Sequence, residues 1–507
     1  MPDPEPTPQW RRLHPSTILV EVVQKVLSLA WFIAIVLLLL YFGGEPDKFE
    51  VFLALAALLQ VMAPIHAYLT LRYAVQGDKL LIRSGFLFKR MRTIALDRVQ
   101  HINLQRGLLH RFFRVVELKV ETAAGGKAEA KLAVVSEEEA ENLRRQLLER
   151  GTGNAELGTT DGSDGSQPRV PSSELLWSAT WKELLLLGAT ENRIALIFGG
   201  FFAINQFVPN FQPLTWIGNW IESRFEHGDS WMGVTLWVAA GIIALFLLGV
   251  LVSIVMTFFT HHGFTLRRAD GKLRRRYGLF TQHETMLPVK RVQVVRIDQP
   301  LLRRLMGYAT LYVESAGTPV TEEAAGAGTT ALCPLLRRAE IGRFIRLLFD
   351  DLELESVDWK PVSRHTIRRA FAHTALFQLI LLLILCVYFT WFAGYAIPAV
   401  LLVAGWFAVA RYRGLGYAER GGYLLVRAGV LTRRIWIVPC SKIQGLTISR
   451  SPSQRRFGIA NLAIATAGMG LGHHPNIFDL PLPTAREMGD RLSASAHAAG
   501  EWLLDGA

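Results

Sequence analysis

The chain has 507 residues, of which 50% are hydrophobic and 19% charged, with a mean hydropathy of +0.25. That balance excludes an ordinary soluble enzyme and a disordered chain. Fifty-five lysines and arginines against 43 acids leave a net charge of +12, which suits nucleic acid or anionic lipid, so the placement of the basic residues has to decide.

A membrane helix needs about 20 mostly apolar residues. Residues 1–21 form a pre-span segment containing Trp10-Arg-Arg-Leu-His-Pro15. Residues 22–42 and 51–70 then read as a first hairpin of spans, 22–70. The first run is too long, and too soon followed by a second, for a cleaved signal peptide. Residues 71–150 are hydrophilic and strand-like. Residues 151–173 are rich in Gly, Ser, Thr and Asp and read as a flexible tether.

Residues 174–193 form a second pre-span segment. A second hairpin, 194–259, joins a short run at 194–208, extended toward Ile217 through Pro209 and Pro213, to a long run at 231–259. Residues 260–350 are again hydrophilic. The third pre-span segment, 351–374, places Arg364, Arg368 and Arg369 at helical spacing. Residues 375–412 suffice for two short spans turned at Ala393-Gly-Tyr395. A last hydrophilic region, 413–498, precedes a tail at 499–507.

Lysine and arginine bias sets orientation. Flanks of about 20 residues on one side of the three hairpins hold 23 of them, against Lys48 and Arg224 in the opposite loops. This places both termini and every large hydrophilic region in the cytoplasm. It also accounts for the basicity without nucleic acid.

The three hydrophilic regions are copies of one module. Leu80-Leu-Ile-Arg-Ser-Gly85, Leu273-Arg-Arg-Arg-Tyr-Gly278 and Leu424-Leu-Val-Arg-Ala-Gly429 open them. Ten residues past each glycine stand Ala95, Pro288 and Pro439. Fifteen past stand Gln100, Gln293 and Gln444. Twenty-six past stand Arg111, Arg304 and Arg455. Thirty-seven past stand Thr122, Ser315 and Thr466, each followed by alanine. Short alternating runs around these positions read as β-strands, with the glycines as hairpin turns. Ser136-Glu-Glu-Glu139 and Thr484-Ala-Arg-Glu487 have the form of capping boxes, and the middle copy is expected to start its helix near Pro334.

Alternation of span pairs with such a module resembles the membrane-flanked bacterial pleckstrin-homology family in its long three-module form. Arg12-Leu-His-Pro15, the Leu-x-x-x-x-Gly turns, the three glutamines and the Thr-Ala or Ser-Ala pairs carry the resemblance. It covers nearly the whole chain except the tether and the two ends. It implies a partly open, two-sheet pleckstrin-homology barrel closed by a C-terminal helix. It also implies an envelope role, including tolerance of membrane-active antimicrobials, often beside a smaller one-module relative. It carries over no catalytic residue. The first copy departs from the pattern at Ala95, and at Phe113-Arg114 where the others have Gly307 and Gly458, so it is expected to pack or pair differently.

The search for chemistry is short. His261-His262 and His473-His474 lack a carboxylate or cysteine at useful spacing, and Cys333, Cys386 and Cys440 show no metal-ligand pattern. They read as a membrane-interface position, an exposed loop and reduced thiols. Gly468-Met-Gly-Leu-Gly472 follows a strand but opens no helix, so the dinucleotide fingerprint fails its context. Glu137, Glu138, Glu139 and Glu141 suit a helix N-terminus. The densest basic cluster, Arg267, Arg268, Lys272, Arg274, Arg275 and Arg276, lies just past the fourth span. With Arg364, Arg368 and Arg369 it is the candidate for lipid-headgroup contact, with topology alone as the rival reading. No charge lies near the middle of any span, which weighs against a coupled pump. Gln60, Asn205, Gln206 and Gln378 suit packing between helices.

The expected protein is therefore an α+β membrane protein. It has six transmembrane helices in three hairpins, each followed by a pleckstrin-homology-like barrel with a C-terminal helix. It is expected to be a non-enzymatic scaffold without cofactor or metal. Its expected partners are anionic lipid at the cytoplasmic face and a one-module relative or another copy of itself. The alternative is a lipid-handling or transport protein whose spans form a path.

Overall fold

In a computed structural model the described residues are 10–20, 22–23, 65, 68–76, 79–84, 90–95, 99–122, 130–150, 174–191, 213–226, 230–269, 271–315, 331–349, 352–386, 393–466 and 475–498. The expected spans at 22–42 and 51–70, the run at 194–208, the tether, Gly85, the glycine-rich run at 468–472 and His473-His474 lie outside them, apart from a few residues at the edges of the first two. The chain divides into two compact units.

The first unit begins with β1 (Arg11–Arg12), β2 (Arg72–Gln76), β3 (Lys79–Ser84) and β4 (Arg90–Ala95), an antiparallel sheet in that order. Next come β5 (Val99–Arg106), α1 (Leu108–Phe112), β6 (Val115–Thr122), β7 (Ala130–Ser136) and α2 (Glu137–Arg150). Tyr73, Leu80, Ile82 and Ile94 of the first sheet meet Leu104, Val116, Leu118 and Val135 of the second, under Ala140 and Leu143 of α2. Burying each such leucine contributes about 2 kcal/mol. Ser136 Oγ accepts the amide of Glu139 at 3.3 Å, one half of the expected capping box.

The same unit continues with β8 (Glu174–Ser178), α3 (Trp181–Thr190), α4 (Pro213–Glu226), α5 (Trp231–His261), β9 (Thr265–Ala269), β10 (Lys272–Tyr277) and β11 (Gln282–Pro288), though its hairpin tip at 269–273 and the end of β11 group with the second unit. The helix α5 has the length and composition of a membrane span. Its exposed side chains, among them Ile242, Phe246, Leu247 and Leu251, are apolar on most of its surface, as hydrocarbon demands. Gly188 of α3 lies so close to Ile254 of α5 that a Cβ has no room there, the small-residue contact by which membrane helices approach.

The second unit holds β12 (Val292–Pro300), α6 (Leu301–Leu305), β13 (Tyr308–Ser315), β14 (Ala331–Arg337) and α7 (Ile341–Leu348). The helices α8 (His365–Cys386) and α9 (Ala393–Gly414) follow. The stretch His365–Leu383 again qualifies as a span. It is continuous with the basic segment ahead of it, and α9 starts at Ala393, where the sequence suggested a turn. Then come β15 (Gly416–Arg420), β16 (Tyr423–Ala428), β17 (Thr432–Pro439), β18 (Ile443–Ser449), α10 (Pro452–Arg456), β19 (Ile459–Thr466), β20 (Asn476–Pro481) and α11 (Leu482–Ala498).

Two helix starts differ from expectation. Pro334 lies inside β14, an edge strand, beside a shift in its register with β13. An edge tolerates a residue without an N–H, and the Pro334 carbonyl accepts from Thr310 Oγ1 at 3.0 Å. The helix of the middle copy therefore begins at Ile341, after a turn at Arg338–Glu340. In the third copy α11 starts at Leu482, which puts Thr484 inside the first turn rather than at its cap. Two capping boxes not expected from the sequence are present at Thr180/Glu183 and Ser451/Gln454.

The repeated residues have shared structural reasons. Gly278 and Gly429 hold φ of +108° and +104°, and a Cβ there would overlap the carbonyl oxygens of Thr281 and Thr432. Gln100, Gln293 and Gln444 each fall at the register shift between paired residues, so all three mark a β-bulge. Thr122, Ser315 and Thr466 pair beside it with Val99, Val292 and Ile443. Arg111, Arg304 and Arg455 stand in the last turn of α1, α6 and α10. Three residues later Arg114, Gly307 and Gly458 take φ of +51°, +76° and +63°. Their carbonyls receive the amides of Glu137, Arg338 and Leu482, tying each turn to the start of the C-terminal helical segment of its module.

The modules are not separate barrels, because their sheets run on into one another. In the first unit β7-β6-β5-β11-β10-β9-β8 form one seven-stranded sheet. In the second unit β14-β13-β12-β17-β16-β15 form a six-stranded one, with β18-β19-β20 apart. The strand that opens one module's second sheet thus pairs with the strand that closes the next module's first sheet. At the opposite edge the pre-span segment is added. Arg11 pairs with Tyr73, Trp177 with Leu266 and Lys360 with Tyr417, each partner standing twelve residues before its turn glycine.

Candidate functional site: basic surface and hairpin base

The densest basic cluster occupies β9 and β10, which begin four residues after α5 ends at His261. Strand alternation turns Leu266, Leu273 and Tyr277 inward and Arg267, Arg274 and Arg276 outward. Several of these cations have protein partners. Arg274 meets Glu284 at 2.8 Å, Arg276 donates to Gln282 at 2.9 Å, and Arg275 lies 5.0 Å over the Tyr277 ring. Arg267 is exposed, while Arg268 and Lys272 are half-buried. The surface is thus a patterned strand face with part of its charge already engaged. His261 is buried and stacks near Phe264 and Tyr277, at 6.4 and 6.2 Å. It belongs to the joint between helix and sheet, and among the described residues no group of three or more metal-ligating side chains occurs.

The second candidate set splits at the base of α8. Arg364 and Arg368 are exposed. Arg369 turns inward and meets Asp479 at 2.7 Å, with the Asp479 carboxylate fully buried. Gln454 Nε2 donates to the other Asp479 oxygen at 2.8 Å and to Asn461 Oδ1 at 2.6 Å. Asn461 Oδ1 also accepts the Asp479 amide at 3.1 Å, and the Asp479 carbonyl accepts the Ser363 amide at 3.1 Å. Asp479 holds φ of +58°, a conformation that Asp tolerates better than most residues. This network fastens the root of α8 to β20, α10 and β19. Sequence reasoning missed it. Its one signal was Asp479 itself, the sole acid in the strand Asn476–Pro481.

Residues 22–151, 211–351 and 371–496 each match the bacterial PH domain. The chain belongs to the bacterial PH domain family. It is also similar to a UPF0699 transmembrane protein, YdbT of Bacillus subtilis (strain 168), at 25% identity over 493 residues, 96% of each chain. No solved structure matches it. The three matched bacterial PH modules coincide with the three glycine-anchored copies, and two of the described helices are long and apolar enough to cross a membrane.

Within this bacterial PH chain the junctions are built to one rule. Count each residue from its own module's turn glycine. In the first unit Gln282, position 4, pairs with Arg106, position 21. In the second, Ile437 at position 8 pairs with Val295 at position 17. Both pairs total 25, and so does every other pair of the two junctions. In the second junction Asp298 pairs with Arg434, their side chains 3.7 Å apart, and Arg296 meets Asp298 at 3.1 Å and Glu314 at 3.7 Å. Burial pushes the Glu314 carboxyl up, against the pull of Arg296.

Proposed function

We propose that this protein is a non-catalytic scaffold of the bacterial inner membrane. Three hairpins hold its modules at the cytoplasmic face, where they assemble proteins that maintain the envelope and withstand membrane-active compounds. The observation that carries this reading is the pair of strand junctions in identical register. Within each unit they join a strand of one module to a strand of the next and commit backbone hydrogen bonds to assembly. The buried Arg369–Asp479 network, which anchors a hairpin root to its module, supports a rigid role better than a mobile one. Exposed Arg267, Arg364 and Arg368 supply charges for anionic headgroups, at about 1 kcal/mol each near the surface.

Purification of the full chain in mild detergent tests the reading. A stable assembly, with itself or with another protein, is expected; a strict monomer that captures nothing overturns it. Protease added outside intact spheroplasts should spare the modules. A deletion strain should lose tolerance of cationic membrane-active peptides, and Arg267→Gln/Arg364→Gln/Arg368→Gln should weaken binding of the purified protein to anionic vesicles.

A further inference from the structure

The junction rule leaves two strands over. In the sheet β1-β2-β3-β4 the outer side of β4 has no partner among the described strands, and in β18-β19-β20 neither has the outer side of β18. These are the two kinds of strand that meet at both internal junctions. The strand β4 closes a first sheet, as β11 and β17 do, and β18 opens a second sheet, as β5 and β12 do. We propose, building on the scaffold reading, that β18 of one copy pairs antiparallel with β4 of a second copy. This third junction has the register of the other two.

The rule that paired positions total 25 fixes the partners. Arg90, Met91, Arg92 and Thr93 are positions 5 to 8 of the first module, and Ser449, Ile448, Thr447 and Leu446 are positions 20 to 17 of the third. The expected pairs are therefore Arg90 with Ser449, Met91 with Ile448, Arg92 with Thr447 and Thr93 with Leu446. Both edges are accessible: Met91, Arg92, Thr93, Thr447, Ile448 and Ser449 are all exposed. The strand Ile443–Ser449 carries no charge and no proline, the devices that ordinarily keep an edge from pairing. A second copy is the fitting occupant because it continues an interface the chain already makes twice and supplies both strand types. Such a head-to-tail contact is heterologous, and it closes into a ring or extends as a row according to the rotation per step.

The test is disulfide trapping in membranes between two differently tagged full-length copies. One carries Thr93→Cys and the other Leu446→Cys; a second set carries Arg92→Cys and Thr447→Cys. Consecutive antiparallel pairs alternate between wider and closer spacing, so one set should link strongly under mild oxidant. The parent chain controls for native thiols. A pairing shifted by two residues, Thr93→Cys with Ile448→Cys, should give at least about tenfold less product. Ile448→Lys, at the rim of the sheet, should convert detergent-solubilised oligomers to monomers while leaving the melting temperature of the chain in place.

Absence of linked product in both sets overturns the inference, as do equal yields in every register and linkage confined to single copies. If linkage fails while the chain still co-purifies with a different protein, this inference falls and the scaffold reading stands. If it fails and the chain is a lone monomer, both fall.

Discussion

The first and third modules solve one packing problem in opposite ways. In the first module residues 10–20, and in the third the segment ahead of α8, pass over the strand before the C-terminal helix. The His14 amide donates to the Val134 carbonyl at 3.2 Å, and the Ser363 amide to the Asp479 carbonyl at 3.1 Å. Three residues on, Thr17 and Thr366 are both fully buried. Three more bring Val20, clustered with Val134 and Val115, in the first module, and Arg369, paired with Asp479, in the third. One backbone arrangement accepts an apolar contact or an ion pair. This segment is fastened in both modules while the chemistry of the fastener varies, and a buried pair is no more stabilising than well-packed apolar groups of similar size.

The largest expected effect comes from breaking the third-module fastener by one half. Arg369→Met removes the ion-pair partner of a carboxylate with no solvent access, leaving it Gln454 and the nearby charge of Arg411, and should lower the unfolding free energy of the full chain by up to about 3–5 kcal/mol, read by thermal or denaturant unfolding in detergent. Adding Asp479→Asn should recover much of that loss, making the third module resemble the first. Asparagine is chosen because it keeps the positive φ that valine cannot hold without strain. If the double variant is as unstable as the single one, the two fasteners are not interchangeable.

A smaller pair of effects concerns the left-handed residue after the short helix. Arg114 holds φ of +51° where Gly307 and Gly458 stand in the other copies. Arg114→Gly should stabilise the first unit by about 1 kcal/mol, and the reciprocal Gly458→Arg should cost the second about the same, both read as shifts in denaturant midpoint. Equal and opposite shifts would show that the position is purely conformational.

The smallest effects are titrations. A carboxyl whose pKa is raised in the folded state stabilises the fold most when protonated. The contribution of Glu314 is thus lost as pH climbs above the ordinary carboxylate range, near about 4.3. Glu314→Gln should flatten the fall in stability of the second unit above that range, measured by melting at several pH values. Burial and Glu419 push the Cys440 thiol up to about 11. Its alkylation at pH 8 should accordingly run on the order of 100-fold slower than that of an unperturbed thiol.

Much of the fold was legible because it rests on local chemistry. Glycines forced to positive φ recur at Gly278 and Gly429, and the apolar run of α5 is unmistakable. The departure at Arg114 leaves the turn as it is in the other copies, with positive φ and a carbonyl that accepts the amide at the start of the next helical segment. What was not legible depends on partners distant in the chain. Nothing near Arg369 announces Asp479, 110 residues away. Helix-start chemistry at Pro334 and Thr484 was outweighed by the sheet, which takes Pro334 into an edge strand, and by Leu482, whose amide already has the Gly458 carbonyl to meet. The exchange of strands between modules could not be read at all, since β11 suits any partner of matching register.

The continuous sheets have a consequence for how the chain can be divided. The period of duplication runs from hairpin to helix, yet the line between the two compact units passes through the middle copy, close to where β11 gives way to β12. What was copied is not what holds together. A recombinant fragment trimmed to a single copy would carry a raw sheet margin and tend to aggregate. One trimmed near residue 287 would keep its ladders whole.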